Sequence, residues 1–481
     1  MIYPGMAGRG LEMEESGFEP GATVSLANFA ANLDSSSVPG EVREKVLLHT
    51  LDQLGAQVIG STQEWNAIVR EYALDESPDG DATFVGASRR GRSEWASMAN
   101  ATAGHGFEID DYHPEALSHP GCVIVPAVMA VVEAADEIAT DPLTALVIGY
   151  EAVVRMGLAA QPSMIYDRGF HESCATGIFG VAAAVGRLNG FDSESIASAL
   201  GIAGSHASGT TEYTQSGGEV KRLHAGLATM GGIRSTELVR RGFSGPMTIL
   251  EGRRGFFHAF TETAHPERLT EGLGESWELL GTGIKPYPCC SLLHAPIQAV
   301  LAMVKEDGLR PEDIEEIVLG CDHFSLVHVG GIGPHPSDMT GAQFSAEFTV
   351  GMAIVQGGAD AEHYLAAAAD DFADPGIRSI AERTRLALWD RADEVFPAEF
   401  LTRVTVTRKD GSTLTRDEYA KGSPRNPMSG QEIRAKFRRN TEFIIGEEGA
   451  TRVERALDSL AEGGPVRDVM TTLAAAETVS G

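Results

Sequence analysis

Apolar residues return at helical spacing along most of the first half of this chain. Leu26, Phe29, Ala30 and Leu33 follow Ser25, which is placed to cap their helix. Pro39 opens a second helix in which Val42, Val46, Leu47, Leu54 and Val58 share a face. Ser77, Pro78, Asp79 and Gly80 mark a turn, and residues 95–103 read as a short Ala-rich helix. Residues 122–132 are apolar enough to be buried, and residues 145–156 and 175–188 continue the helical pattern. Gly177, Gly180, Ala183 and Ala184 leave room for another helix to approach closely. Ser193 begins a helix that runs through Ala203, and residues 224–241 form another that ends before Gly242.

The pattern changes near Thr282. Residues 315–319 read as a strand, and residues 400–408 as a stronger one, with Leu401, Val404 and Val406 set among Thr and Arg. Asp410 and Gly411 supply a turn. Residues 345–355 and 374–388 look helical. Ser429 and Glu432 form a capping box ahead of Ile433 and Phe437. The whole predicts a mainly α protein with a large all-helical domain at 23–279 and a smaller α+β domain at 280–415. C-terminal helices at 416–481 return to the helical domain, and residues 1–22, rich in Gly and Glu, form a flexible extension.

Composition narrows the partners. At 481 residues and 43% apolar content, the chain can bury more than one core. It carries 68 acidic against 38 basic residues, a formal charge of -30. Nucleic acid and anionic membrane surfaces are therefore disfavoured, whereas a small anionic substrate, which feels only a local site, is not. Five cysteines, an odd count spread along the chain except for the adjacent Cys289 and Cys290, do not make a disulfide framework, and a reducing cytoplasm is the simpler reading. No zinc spacing, signal peptide or run of eighteen apolar residues stands out, so neither a metal site nor a membrane span is expected.

Polar chemistry or charge gathers in six places, the last two of them weak. The first, Glu108, Asp110, Asp111, Tyr112, His113 and His119, runs straight into the buried stretch at 122–132. A charged cluster entering a buried helix is where an active site is to be sought, although a helix-capping Asp pair with surface histidines fits equally. The second holds Tyr166, Gly169 and His171. The third places Gly217 and Gly218 ahead of Lys221, Arg222 and His224, either an anion cradle at a helix start or a solvated one. In the fourth, two prolines fix Lys285, Tyr287, Cys289 and Cys290. His323 and His328 read as loop or core residues, and Arg89, Arg90 and Arg92 as a solvated run. The glycines at 330–333 and 177–180 do not fit a nucleotide fold. His, Lys, Tyr and Asp without a cofactor signature suit proton abstraction beside a carboxylate.

These elements, in this order, resemble the MmgE/PrpD family over nearly the whole chain. The resemblance rests on Leu51, Asp52, Leu54 and Gly55; on Asp110, Asp111 and the His119-Pro120-Gly121 element; and on Gly149, Tyr150 and Glu151. It continues through Gly169, Phe170 and His171, then Lys221, His224 and Gly226, then the 242–246 turn. Lys285 to Cys290, Asn426 to Met428, and Lys436 with Phe437 complete it. It implies a large helical domain with a smaller α+β domain, a site between them and a homodimer. It also implies a cofactor-independent enzyme acting on a small di- or tricarboxylate. His119 and His171 take acid and base roles, Lys221, Arg222 and Lys285 bind carboxylate, and Asp110 orients a histidine. Tyr287 and Cys290 are secondary catalytic candidates, and Tyr112, His113, Tyr166 and His224 are expected to line the substrate. Relative to the family's decarboxylase branch, Glu108 stands at the acidic position, Tyr112 at a Thr position and Cys290 at a His position, which disfavours decarboxylation of cis-aconitate. A dehydratase-like lyase is expected, with an epimerase or a non-catalytic binding or scaffold protein as alternatives.

Overall fold

The computed structural model describes residues 21–396 and 399–474, and the stretch expected to be loose at 1–22 lies almost wholly outside them. The first helix, Ala22–Asn32, starts ahead of the expected cap at Ser25. A distant acid does the capping. Glu251 accepts hydrogen bonds from the Thr23 backbone N–H at 3.1 Å and from its hydroxyl at 2.5 Å, so Ser25 falls inside the first turn.

Gly121–Ala134 is the central helix. It packs against Gly40–Ser61, Ser93–Gly106, Pro142–Ala160, Gly177–Leu188 and Val220–Arg240. Small residues allow this crowding, as at Gly180, where an added Cβ would meet Val153 at 2.4 Å and the Gly149 carbonyl at 2.9 Å. Pro142–Ala160 is long and apolar enough to cross a membrane, but it is wholly buried within the protein. Ser193–Ala203 has the bounds that its Ser start and apolar period predict.

A four-stranded sheet forms the second layer, in the order Thr384–Leu388, Ile314–Cys321, Leu401–Arg408, Thr413–Tyr419. Its first pair is parallel and the other two antiparallel. Helices His294–Glu306 and Ala346–Gln356 pack on it around a core of their own, which includes Ile317, Leu319, Val404, Val406 and Phe348. The expected helix at 374–388 is half right. Pro375–Ala381 is helical, but Thr384–Leu388 pairs beside Ile314–Cys321 as an edge strand, with Arg385 bridging to Glu316 at 2.7 Å. The C-terminal helix, Gly430–Leu460, begins at the capping box and bends at Gly446, whose φ is 74°. It packs along Gly40–Ser61, and its Phe437, Ala450, Val453 and Leu457 join the helical core.

A two-residue β-bridge matters most for the site. Asp111–Tyr112 pairs antiparallel with Gly283–Ile284, in register Asp111 to Ile284 and Tyr112 to Gly283. Continued by one step, that register brings Lys285 alongside Asp110.

Candidate active site

Residues 107–110 alternate between core and site. Phe107 and Ile109 pack with Ala56, Ile59 and Ala361, while Glu108 and Asp110 face the other way. Two contacts fix the apolar side: Gln343 Nε2 donates to the Phe107 carbonyl and Lys436 Nζ to the Ile109 carbonyl, both at 2.9 Å. Glu108 itself sits at φ 57°, left-handed backbone that a side chain with a Cβ rarely adopts.

That backbone places the Glu108 carboxylate between two lysines. Lys221, in the first turn of Val220–Arg240, forms an ion pair with Oε1, and Lys285 reaches Oε2 at 3.2 Å. Burial works against charge on all three groups. The mutual attraction outweighs it, so Glu108 is held below its ordinary value and both lysines above theirs. Two ammonium groups are thus kept charged in a nearly dry site.

Four imidazoles form a chain beside them. Ring centroids run His119 to His105 at 5.2 Å, His105 to His171 at 5.5 Å and His171 to His224 at 5.1 Å. Asp110 Oδ2 accepts from Nδ1 of His105 at 2.7 Å and lies 3.3 Å from Nδ1 of His119. The Asp111 carbonyl also accepts from His119 Nδ1, at 2.8 Å. Two acceptors at one nitrogen require a hydrogen there, which leaves Nε2 of His119 pointing into the site. The surroundings push the rings in opposite directions. Burial opposes protonation of His119, but Asp110 overcomes it and raises this histidine above its ordinary 6.5. Burial, reinforced by His105, Lys221 and His224, holds His171 well below that value. His171 Nδ1 shares one hydrogen with His224 Nδ1 across 3.0 Å. Glu172, Tyr213 and Cys290 complete the wall. Burial pushes the Cys290 thiol up to about 11, so it stays protonated.

Ligand atoms of His105, Asp110 and His119 lie within 4.8 Å of one another, a spacing that could hold a metal ion. The His119 nitrogen nearest Asp110 carries the hydrogen donated to Asp111, so in this arrangement it has no lone pair to offer. The three are a hydrogen-bonded unit in which one carboxylate orients two rings.

Comparison with known proteins places this constellation. The MmgE/PrpD N-terminal domain matches residues 24–269, and the MmgE/PrpD C-terminal domain matches residues 287–462. The chain belongs to the MmgE/PrpD family. Among curated MmgE/PrpD relatives, a cis-aconitate decarboxylase of Aspergillus terreus is 26% identical over 95% of this chain and 97% of its own length. The cis-aconitate decarboxylase-like protein oryM of Aspergillus oryzae is 26% identical over 94% and 97%. A Homo sapiens cis-aconitate decarboxylase is 26% identical over 88% of each chain.

In this MmgE/PrpD chain, Asp110, His119, His171, Lys221, His224, Lys285 and Cys290 converge from four separate sequence motifs. Tyr112 lies beside them, buried, its hydroxyl without a hydrogen-bond partner among the described residues. Arg222 stands at the rim, donating to the Gly106 carbonyl and to Thr340, both at 3.2 Å, with its guanidinium over Trp65. Three expected residues are placed elsewhere. His113 turns away to accept the Ala116 N–H at 3.1 Å and rests against Gly281. Tyr287 faces His294 and a separate cleft with Lys421 and Arg439. Tyr166 is 64% exposed. Sequence reading missed His105, Glu172 and Tyr213. His105 falls at the end of an Ala-rich helix with no motif around it, and Tyr213 opens the short helix Tyr213–Ser216, which has no apolar period. Glu172 had one signal, its place beside His171.

Proposed function

We propose that this protein is a lyase that removes a proton alpha to a carboxylate of a small di- or tricarboxylate and expels a β-hydroxyl as water. The observation that carries the reading is a pair of histidines in opposed settings, His119 against the Asp110 carboxylate and His171 against a second imidazole, beside two lysines that share one carboxylate. When neighbouring titratable groups are pushed apart, the neutral one is the base and the charged one the acid. The decarboxylase names of the relatives support a carboxylate as the ligand.

Substrate carboxylate enters beside Lys221 and Lys285 and shares them with Glu108. Their charge stabilises the enediolate as it forms. His171 Nε2 takes the α proton, which requires its Nδ1–H to donate to His224. The Cα–H electrons form the double bond, and the C–O bond breaks as His119 Nε2–H protonates the leaving hydroxyl. Asp110 holds His119 in the tautomer this needs.

A second reading, epimerisation, is favoured by the same pair, because two acid–base groups can serve opposite faces of one carbanion. The test is proton NMR in deuterated water with hydroxy-, unsaturated and amino-substituted di- and tricarboxylates. New vinylic signals support dehydration. Exchange of one α proton without an alkene supports epimerisation. Loss of carbon dioxide from an unsaturated tricarboxylate, without exchange or water loss on the others, would sink both.

A further inference from the structure

Glu172 has no part in the chemistry above, yet it is 2% exposed and lies between the two histidines that carry it. Its Oε1 is 3.6 Å from Nε2 of His171 and 4.0 Å from Nε2 of His119, and it accepts a hydrogen bond from the Ser173 hydroxyl at 3.1 Å. The opposite nitrogens of both rings are engaged elsewhere, His119 Nδ1 by the Asp111 carbonyl and His171 Nδ1 by His224. Glu172 therefore faces the same two nitrogens that exchange protons with substrate.

We propose that Glu172 is a positioning residue that relays the proton from His171 back to His119. The inference rests on the acid–base reading given above. After one turnover, His171 holds the substrate's proton as an imidazolium and His119 is neutral. The resting state has the reverse arrangement. The His171 Nε2–H bond breaks as a Glu172 Oε1–H bond forms, leaving a neutral imidazole and a carboxylic acid. That O–H bond then breaks as His119 Nε2–H forms, restoring the carboxylate and the charged acid. No proton need come from solvent. Each gap exceeds hydrogen-bond length by about 1 Å or less, which a small side-chain adjustment closes. Between turnovers, the carboxylate also favours the charged form of His119.

Other groups act on His119 too. Asp110 favours its charge, while Lys285 opposes it, and His105 shares Asp110 with it. Cys122, at the start of the central helix, bonds the His119 carbonyl rather than its ring. Glu172→Gln keeps the shape and the bond from Ser173 but removes the charge and the relay. Titration of the full chain by nitrogen-15 histidine NMR, with no substrate, reads the effect directly. The His119 midpoint is expected to fall by about 1 pH unit, with thermal melting unchanged. Glu172→Asp, which retains the charge one methylene further back, is expected to fall less. A His119 midpoint unmoved in Glu172→Gln, or one that falls as far in Glu172→Asp as in Glu172→Gln, would overturn the proposal, and if Glu172→Gln does not fold, a second charge-free variant, Glu172→Met, takes its place. On any carboxylate that turns over, added imidazole should restore the rate of Glu172→Gln but not raise that of the parent. An unrescued rate would reject the relay. Silence across the carboxylate panel bears on the acid–base reading alone, since the histidine titration judges Glu172 without substrate.

Discussion

Lys221 and Lys285 share one acceptor, Glu108, so neither lysine is neutralised fully and each keeps donors for a second anion. Lys221 is the more open of the two, its side chain 21% exposed against 4% for Lys285. Removing it leaves Glu108 paired through Lys285 and takes one positive charge from the place where the enediolate forms. Lys221→Ala is therefore expected to lower kcat/KM by about 100-fold or more, with a melting temperature close to the parent's. Undiminished turnover on the substrate found by NMR would remove Lys221 from the mechanism. At this scale, much of the site was legible. His119 and Lys285 each adjoin a proline, and His171 and Lys221 follow a glycine by two and three residues. His105 was not legible, because one histidine in a helix of alanines carries no signal until Asp110 folds back to meet it. Tyr287 was misleading in the opposite way. Although it is only two residues from Lys285, its ring faces His294.

Among the elements, the strand at Asp111–Tyr112 and the C-terminal helix do the positioning. Lys436 reaches from that helix to the Ile109 carbonyl at 2.9 Å and to Asp52 at 2.6 Å, and both charged side chains are about 1% exposed. A buried pair of this kind is expensive to break from one side, because the partner is left charged and dry. Lys436→Met is expected to cost about 3–5 kcal/mol in chemical unfolding. Adding Asp52→Asn should recover much of that stability. It should not recover activity, since the Ile109 carbonyl has still lost the donor that aims Glu108 and Asp110. Full activity in the double variant would refute the positioning role. Strands were harder to read than helices. Thr413–Tyr419 alternates between exposed and half-buried residues with no fully buried face, so it gave no apolar alternation to detect. Thr384–Leu388 follows a true helix closely, and only pairing with Ile314–Cys321 decides that it is extended.

Across the whole molecule, the helical layer was evident from period and small residues, and the same burial that makes it a core also stores protonation energy. His49, His105, His113, His171, His224 and His294 are all buried, and burial lowers each below the ordinary histidine value of 6.5. A depressed folded value means that the unfolded chain binds more protons once pH falls through 6.5, so stability is present above that pH and is lost as pH drops below it. Several groups run the other way, among them Glu133, Glu151 and Glu347, which burial raises above the ordinary 4.5. His119, raised, acts in the window above 6.5, where its contribution disappears as pH rises. Asp52, raised to about 6, favours the folded state as pH falls from there toward 3.8. Just below 6.5 all six depressed histidines act together, whereas the raised glutamates start from an ordinary value of 4.5. Unfolding free energy is expected to decline between about pH 6.5 and pH 5 by at least about 1.4 kcal/mol per pH unit, the slope for one excess proton in the unfolded chain. Urea titrations at half-unit intervals measure it. A flat profile over that interval would mean that these histidines keep ordinary affinities despite burial, and the neutral His171 on which the proposed base depends would lose its support.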